Sequence, residues 1–250
     1  MENAAADARS GRARPVRITT TRGLATVWMA PVLAHLRAAR PDITLVVEVG
    51  LAAADLSGHE ADIALRLGRP GRPDDLGRRV GTVHCGLYAA ESYLVRRGVP
   101  HALEEIAAHD VIGSVGEVAG LAQVRRLAEH AAGATPAFVA NDTSVQIAAM
   151  REGWGLLAAP CCMVAPLQPP VVRVLPEAFD VAIDLRLLIN PRLRGVEPYA
   201  TVYKFLLEAC QRDRDLFTGR SRPAHSPMPR LNISADPSAE SRICTAGSHR

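Results

Sequence analysis

The chain has 250 residues, of which 48% are hydrophobic, and its formal net charge at pH 7 is +3. This length allows one large domain or two small ones, and the hydrophobic content is ample for a packed core. Residues 1–14 carry +1 and residues 218–250 carry +3, which leaves −1 for the middle. The middle therefore lacks the overall basic bias that dominates binding to a nucleic-acid backbone. No apolar run reaches the roughly 20 residues that span a bilayer.

Residues 16–49 predict a strand, a helix and a second strand. The turn between the first strand and the helix contains Thr20, Thr21, Arg22 and Gly23. At such a turn the unpaired backbone N–H groups and the helix dipole attract anions. Capping of the helix by Thr20 or Thr21 is the simpler interpretation, because every helix needs a cap and few bind a ligand.

Pro31 falls inside the helical pattern of this unit. A proline removes one backbone hydrogen bond and clashes with the preceding turn, so it fits best at the first turn of a helix. We therefore expect the regular helix to begin at Pro31, after a looser approach over residues 23–30. Pro41 ends it, because the residue before a proline avoids the α region.

The rest of the chain alternates between strand and helix patterns, which predicts an α/β fold with mostly parallel sheets. Ligands of such sheets bind beyond the carboxyl ends of the strands. Strands are predicted near residues 62–66, 78–90, 111–114, 137–139, 156–159, 171–174 and 181–188. Helices are predicted near residues 52–56, 91–97, 103–109, 121–132, 143–151 and 197–211, with a loop over residues 68–75. The run Asn141-Asp142-Thr143-Ser144 is a strong helix start.

Motifs for catalysis or metal binding fail on inspection. The Gly-rich run at residues 153–158 is followed by a strand pattern, whereas a dinucleotide fingerprint needs a helix there. Ser114 lacks the glycine two positions earlier that a nucleophile elbow requires. The five cysteines and eight histidines show no ligand spacing, so we expect no metal, no cofactor and no enzymatic activity. The cysteines are interpreted as buried apolar residues, and a redox pair stays open.

Several segments, in order, resemble the effector-binding domain of LysR-type transcriptional regulators. The resemblance covers about residues 15–217. It is carried by VRITTT at 16–21, WMAPVL at 28–33, RPDI at 40–43, DIALR at 62–66, YAAESYL at 88–94, NDTS at 141–144 and AAMREGWGLLAAP at 148–160.

The resemblance implies a type 2 periplasmic-binding-protein-like fold, with two α/β lobes joined by two crossover strands. Lobe I would comprise residues 15–83 and 186–217, and lobe II residues 84–185. Residues 1–14 would form a flexible lead-in, and residues 218–250 a disordered tail.

A small-molecule effector would bind between the lobes. By resemblance its ligand-binding residues are Thr20, Thr21, Arg22, Arg66, Ser114, Asp142, Thr143 and Ser144. Two helix amino ends and an arginine favour an anion, most simply a carboxylate. Asp142 opposes this unless its carboxylate caps the helix, and Arg66 could equally form a surface ion pair with Asp62 or Asp74.

LysR-type regulators also carry an amino-terminal winged helix-turn-helix, which nothing before Val16 could form. We therefore expect DNA contact only through a domain missing from this chain. Without a secretory signal or a membrane span, the protein is expected in the cytoplasm. The resemblance further implies a homodimer, with the helix after Pro31 and residues 43–49 of one chain against the lobe II helix of another. The alternative is a stand-alone solute-binding protein of the same fold.

Overall fold

A computed structural model describes residues 14–51, 56, 61–68, 76–169 and 171–219. Its main sheet has the strand order β2-β1-β3-β9-β4-β7, with β8 also paired to β4. A smaller sheet pairs β5 with β6. The strands are β1 Val16–Thr20, β2 Leu45–Val49, β3 Ile63–Leu67, β4 Leu76–Ala89, β5 Ile112–Ser114, β6 Phe138–Ala140, β7 Leu157–Pro160, β8 Val172–Val174 and β9 Asp180–Ile189.

Helices connect most of these strands. The α-helices are α1 Arg22–Leu24, α2 Ala30–Ala39, α3 Glu91–Arg97, α4 Ala122–His130, α5 Thr143–Arg151, α6 Cys161–Val164, α7 Tyr199–Arg212 and α8 Arg214–Thr218. Three 3₁₀ segments lie at Leu103–Ala108, Gly116–Gly120 and Pro191–Leu193. In the part of the chain described here, no helix is long and apolar enough to cross a membrane.

The first helix begins earlier than expected. Helix α1 starts at Arg22 and runs through a π-helical stretch, Ala25–Met29, directly into α2. Pro31 lies in the first turn of α2, as predicted, but it does not start the helix. The wider π turn ahead of Pro31 fits the physical problem, because the proline ring crowds the carbonyl groups of the preceding turn.

The expectation of mostly parallel sheets is wrong. β1 pairs in parallel with β2 and β3, and β5 pairs in parallel with β6. By contrast, β9 is antiparallel to β3 and β4, and β4 is antiparallel to β7 and β8. The pattern of residues within a strand does not show its direction relative to a distant partner, so the antiparallel pairing could not be predicted from the pattern.

Two long strands, β4 and β9, lie next to one another in the main sheet. Their pairing extends from Leu76 opposite Ile189 to Gly86 opposite Asp180, with a bulge between Arg79 and Gly81. They fit the expected pair of crossover strands. The lobe boundaries at residues 83/84 and 185/186 stay a prediction.

The buried apolar residues form two large clusters. One unites β1, α2 and β3 with helix α7, so the last long helix packs on the first strands. Trp28 reinforces this packing, because its Nε1 donates to Asp213 Oδ2 over 2.8 Å and its ring lies 5.4 Å from that of Phe217. The second cluster lies around Leu87, Tyr93 and Phe179. Each fully buried aliphatic or aromatic side chain contributes about 1.5–3 kcal/mol.

Some expectations fall outside the described residues. These are most of the predicted helix at 52–56, nearly all of the loop at 68–75, the lead-in before residue 14 and the tail after residue 219. Helix α8 was not predicted and reaches Thr218, the first residue of the expected tail.

Candidate ligand-binding cleft

The first corner of the cleft lies where β1 meets the helix that begins at Arg22. Thr21 is the N-cap, and its Oγ1 accepts a hydrogen bond from Leu24 N at 3.5 Å. Gly23 follows in the first turn, packed against Met163. A Cβ at this position would lie 2.2 Å from Met163 Sδ, so an added methyl group would require the flexible end of the Met163 side chain to move.

The second corner lies where β6 meets α5. Asp142 is the N-cap, and its Oδ1 accepts hydrogen bonds from Ser144 N at 2.8 Å and from Val145 N at 3.3 Å. The strong helix start read from the sequence therefore has a direct cause, because two otherwise unpaired amides of α5 find an acceptor. Helix α5 begins and ends as predicted, at Thr143 and Arg151.

The two corners face one another and are joined by an ion pair. Arg22 Nε lies 2.8 Å from Asp142 Oδ2, while the other carboxylate oxygen of Asp142 caps α5. The Arg22 side chain is 62% exposed and that of Asp142 is 27% exposed. A single carboxylate thus occupies both features that favoured an anion at this place, the helix amino end and the arginine.

A cavity of about 720 Å³ lies between the corners. This volume is within the range typical of small-molecule sites. Five of the eight expected ligand-binding residues line it, namely Thr21, Arg22, Asp142, Thr143 and Ser144. Apolar lining comes from Val49, Leu51, Leu67, Val118, Leu121, Pro160, Met163 and Ile183. The structure therefore brings the two predicted corners to one cleft.

Thr20, Arg66 and Ser114 are the three expected residues outside this lining. The Thr20 side chain is fully buried, and its hydroxyl has no hydrogen-bond partner among the described residues. Ser114 Oγ accepts from Gln146 Nε2 at 2.7 Å, and the same amide nitrogen donates to Gly113 O at 2.9 Å. Ser114 thus helps to tie β5 to α5.

Arg66 links the ends of β1 and β2 by hydrogen bonds. Its guanidinium donates to the carbonyl oxygen of Gly50, beyond β2, and to Thr19 Oγ1 in β1. Burial lowers the pKa of Arg66, since the charged form loses hydration. The suggested surface pair with Asp62 is absent from the described contacts, because Asp62 accepts from Arg17 N at 2.8 Å and pairs with Arg14 at 3.4 Å. Asp74 lies outside the described residues.

Three polar residues of the cleft, Asn141, Glu117 and Gln123, were not among the expected ligand-binding residues. Asn141 directly precedes the second corner. Glu117 and Gln123 lie in the 3₁₀ segment Gly116–Gly120 and at the start of α4, within a stretch that showed no effector signature. Gln123 is only 3% exposed, and its Oε1 has no hydrogen-bond partner in the described part of the chain. The one available signal for Gln123 was a polar residue at the start of an amphipathic helix. Such residues are common on helix surfaces, so this signal does not indicate a binding site.

The cysteines Cys85, Cys161, Cys162 and Cys210 are all buried free thiols. Burial raises the pKa of Cys162 and of Cys210 to about 12, and it raises the pKa of Cys85 as well. Such thiols are protonated and unreactive at neutral pH, which supports their interpretation as apolar packing residues. Across the described ranges, no cluster of three or more His, Cys, Asp or Glu side chains could hold a metal ion.

Comparison with known proteins agrees with this geometry. The family model for the LysR substrate binding domain matches residues 9–211. An HTH-type transcriptional regulator of Xanthomonas campestris pv. campestris (strain 8004) is 28% identical over 213 residues, which cover 78% of this chain and 60% of that protein. The Mau operon transcriptional activator of Paracoccus denitrificans is 38% identical over 97 residues, 37% of this chain and 34% of that protein. The chain thus spans at most about 60% of the length of these relatives.

Solved structures of regulators show the same fold. The regulatory domain of CrgA from Neisseria meningitidis superposes with a TM-score of 0.67 at 18% identity, covering 78% of this chain and 98% of that domain. Full-length AphB of Vibrio cholerae gives 0.65 at 22% identity, covering 83% of this chain and 73% of AphB. The effector domain of AmpR from Pseudomonas aeruginosa gives 0.64 at 18% identity, covering 80% of this chain and 97% of that domain.

These matches confirm the expected periplasmic-binding-protein-like α/β fold and the expectation of a regulatory domain without enzymatic activity. The chain belongs to the LysR substrate-binding domain family, the effector-binding part of LysR-type transcriptional regulators.

Proposed function

We propose that this domain senses a small molecule carrying a carboxylate, bound in the cleft between Thr21 and Asp142. The observation that supports this most strongly is the meeting of two helix starts and one arginine at a single cavity of about 720 Å³. Asp142 occupies Nε of Arg22 and the first amides of α5, but a guanidinium group has further N–H donors that a carboxylate can reach, and it binds carboxylates well.

In this proposal, Arg22 is the principal contact, with Thr21 on its side of the cleft and Thr143 and Ser144 opposite. Arg66 and Ser114 act from behind by holding strand ends in place, and the buried Thr20 side chain packs at the end of β1. A ligand that contacts both corners would favour the arrangement in which they lie close together, and so bias the two lobes about β4 and β9. That bias would be the regulatory signal.

We further propose that the domain forms a C2 dimer through α2 and β2 of one chain and α5 of another. Two exposed surfaces support this pairing. The outer side of α2 carries small or apolar residues, Ala30, Pro31, Ala34 and Ala38, and β2 next to it exposes Val47 and Val49. Near α5, the side chains of Val139, Val145 and Trp154 are between 46% and 48% exposed. A monomer at high concentration in light scattering would contradict this dimer.

In the whole protein, DNA recognition would belong to a winged helix-turn-helix outside residues 9–211, and the protein would act in the cytoplasm. The reading frame upstream of the codon for Met1 tests this part of the proposal. A winged-helix segment in frame would support it, whereas an export signal in frame would favour the stand-alone solute-binding protein.

A thermal-shift screen of small carboxylic acids tests the ligand site, with one substitution that fills the cavity. Gly120 lines the cavity, and a Cβ there would meet no other atom within 4 Å. Gly120→Phe should therefore fold normally and abolish the rise in Tm that an acid causes in the original protein. Gly195 is equally open and lies outside the cavity, so Gly195→Phe is the matched control and should keep the response.

A further inference from the structure

Among the described residues that line the cleft, the charged side chains are unequal in sign. Arg22 is the cation of this set, while Glu117 and Asp142 are both carboxylates. Arg22 and Asp142 already neutralise one another across 2.8 Å. Within the described lining, Glu117 is therefore left without a neutralising partner, which is an unexpected environment for a ligand that is only an anion.

A simple carboxylate would meet an obstacle in this lining. To form a bidentate pair through Nε and one terminal nitrogen of Arg22 it must replace Oδ2 of Asp142, which leaves two carboxylates side by side at one guanidinium. Asp142 cannot turn away easily, because its Oδ1 holds the first amides of α5. Two carboxylates at one guanidinium group repel one another, and the repulsion is stronger in a partly buried cleft than in water.

A ligand that carries an ammonium group beside its carboxylate would remove the obstacle. Its carboxylate would take the place of Asp142 on Arg22, and its ammonium would take the place of Arg22 on Asp142. Both side chains would then keep an opposite charge, and the cap of α5 would stay intact. In the ion pair, each of the two side chains presents to the other the charge that such a ligand would present.

Gln123 is a further polar residue of this lining. It is 3% exposed, and its Oε1 is buried and lacks a partner among the residues described. Its amide carries both an acceptor oxygen and a donor nitrogen. Such a group is compatible with either half of a ligand that carries a donor and an acceptor.

We propose that the ligand of this cleft is a small zwitterion of the α-amino acid class, with its carboxylate on Arg22 and its ammonium on Asp142. This inference rests on the proposed function, since it assigns the ligand class of the same cleft. It makes Asp142 a specificity-determining residue rather than only a helix cap.

The test is calorimetric titration of the chain with the twenty standard amino acids, followed by matched analogues of those that bind. For leucine the analogues are 4-methylpentanoate, which lacks the ammonium, and 3-methylbutylamine, which lacks the carboxylate. The corresponding analogues of phenylalanine are 3-phenylpropionate and 2-phenylethylamine. The amino acid should bind at least about tenfold more tightly than either analogue.

Asp142→Asn separates charge from capping, because asparagine is also a good N-cap. In this variant the amino acid should lose at least about tenfold in affinity, while the analogue without an ammonium should bind unchanged or more tightly. Asp215→Asn, at an exposed position of helix α8 outside the cleft lining, is the matched control and should change neither. The Tm of each variant without ligand shows whether it is folded.

The possible outcomes distinguish failure of the zwitterion inference from failure of the proposed carboxylate site. If carboxylates without an ammonium bind as tightly as amino acids, and Asp142→Asn weakens none of them, the zwitterion is wrong and the carboxylate site stands. If no amino acid binds and no acid of the thermal-shift screen raises the Tm, both are wrong. Binding of an amino acid that is insensitive to Asp142→Asn also overturns the inference.

Discussion

The carboxylate of Asp142 is shared between a helix and a cation, since Oδ1 accepts from the amides of α5 and Oδ2 lies 2.8 Å from Arg22 Nε. The two roles differ in energy. Loss of an N-cap costs about 1 kcal/mol. An exposed ion pair contributes roughly 0–1 kcal/mol, and the Arg22 side chain is 62% exposed.

The first prediction separates these roles by urea unfolding. Asp142→Ala should lower the free energy of unfolding by about 1 kcal/mol. Asp142→Asn keeps the cap and should lower it by only a few tenths, as should Arg22→Gln, which removes the pair alone. Equal losses in Asp142→Asn and Asp142→Ala would mean that the charge, and not the cap, stabilises this corner.

The second prediction concerns Gly23, whose added Cβ would lie 2.2 Å from Met163 Sδ. Gly23→Ala should destabilise the fold by up to about 1 kcal/mol, because the added methyl group displaces the end of the Met163 side chain, which can move, and alanine favours the helix. Shortening the neighbour with Met163→Ala should make the same glycine change less costly, because the two sites are in contact. Gly195→Ala has open space and serves as the control. Equal effects at both glycines would contradict the close packing.

The third prediction concerns the contact between the first helix and the carboxyl-terminal helices. Trp28→Phe removes the donor to Asp213 Oδ2 and should cost about 1–3 kcal/mol. Asp213→Asn retains an acceptor oxygen and should cost less than this. Thermal unfolding measures both, and an unchanged Tm for Trp28→Phe would show that the contact does not stabilise the fold.

The fourth prediction concerns alkaline pH. The pKa of Cys162 and of Cys210 is raised by burial from an ordinary 9.0 to about 12. Above about pH 9 the unfolded chain loses these protons while the folded chain keeps them, so the free energy of unfolding should fall as pH rises from about 9 to about 12. Below pH 9 the two thiols add no pH dependence.

The double variant Cys162→Ala/Cys210→Ala isolates this effect from that of other alkaline groups. Its unfolding free energy should fall less steeply than that of the original chain over the same pH range. Equal slopes would contradict the raised pKa of the two thiols.

The local features of the sequence predicted the local structure well. Helix α5 begins and ends where its capping residues and Gly153 indicated, because capping is decided by a few neighbouring residues. The start at Arg22 was missed, since Pro31 suggested a later beginning and the π turn that accommodates it has no clear pattern of its own.

Features that depend on distant residues were harder to predict. The antiparallel crossover strands pair residues about 100 positions apart, and nothing in either strand indicates its direction. At the cleft, the corners at Thr21 and Asp142 were found because helix starts are visible in the sequence. Glu117 and Gln123 were missed because only the fold brings them to the cavity. Arg66 was ambiguous for the same reason, and its partners, Gly50 and Thr19, lie on neighbouring strands.

The central claim is that Arg22, at the junction of the two corners, holds the carboxylate of the ligand. Calorimetry of a binding amino acid or organic acid against the original chain and Arg22→Gln tests it most directly. Arg214→Gln, at an exposed position outside the cleft lining, is the control. The account predicts a loss of affinity of at least about tenfold for Arg22→Gln and none for the control. Equal affinity of Arg22→Gln and the original chain would contradict it.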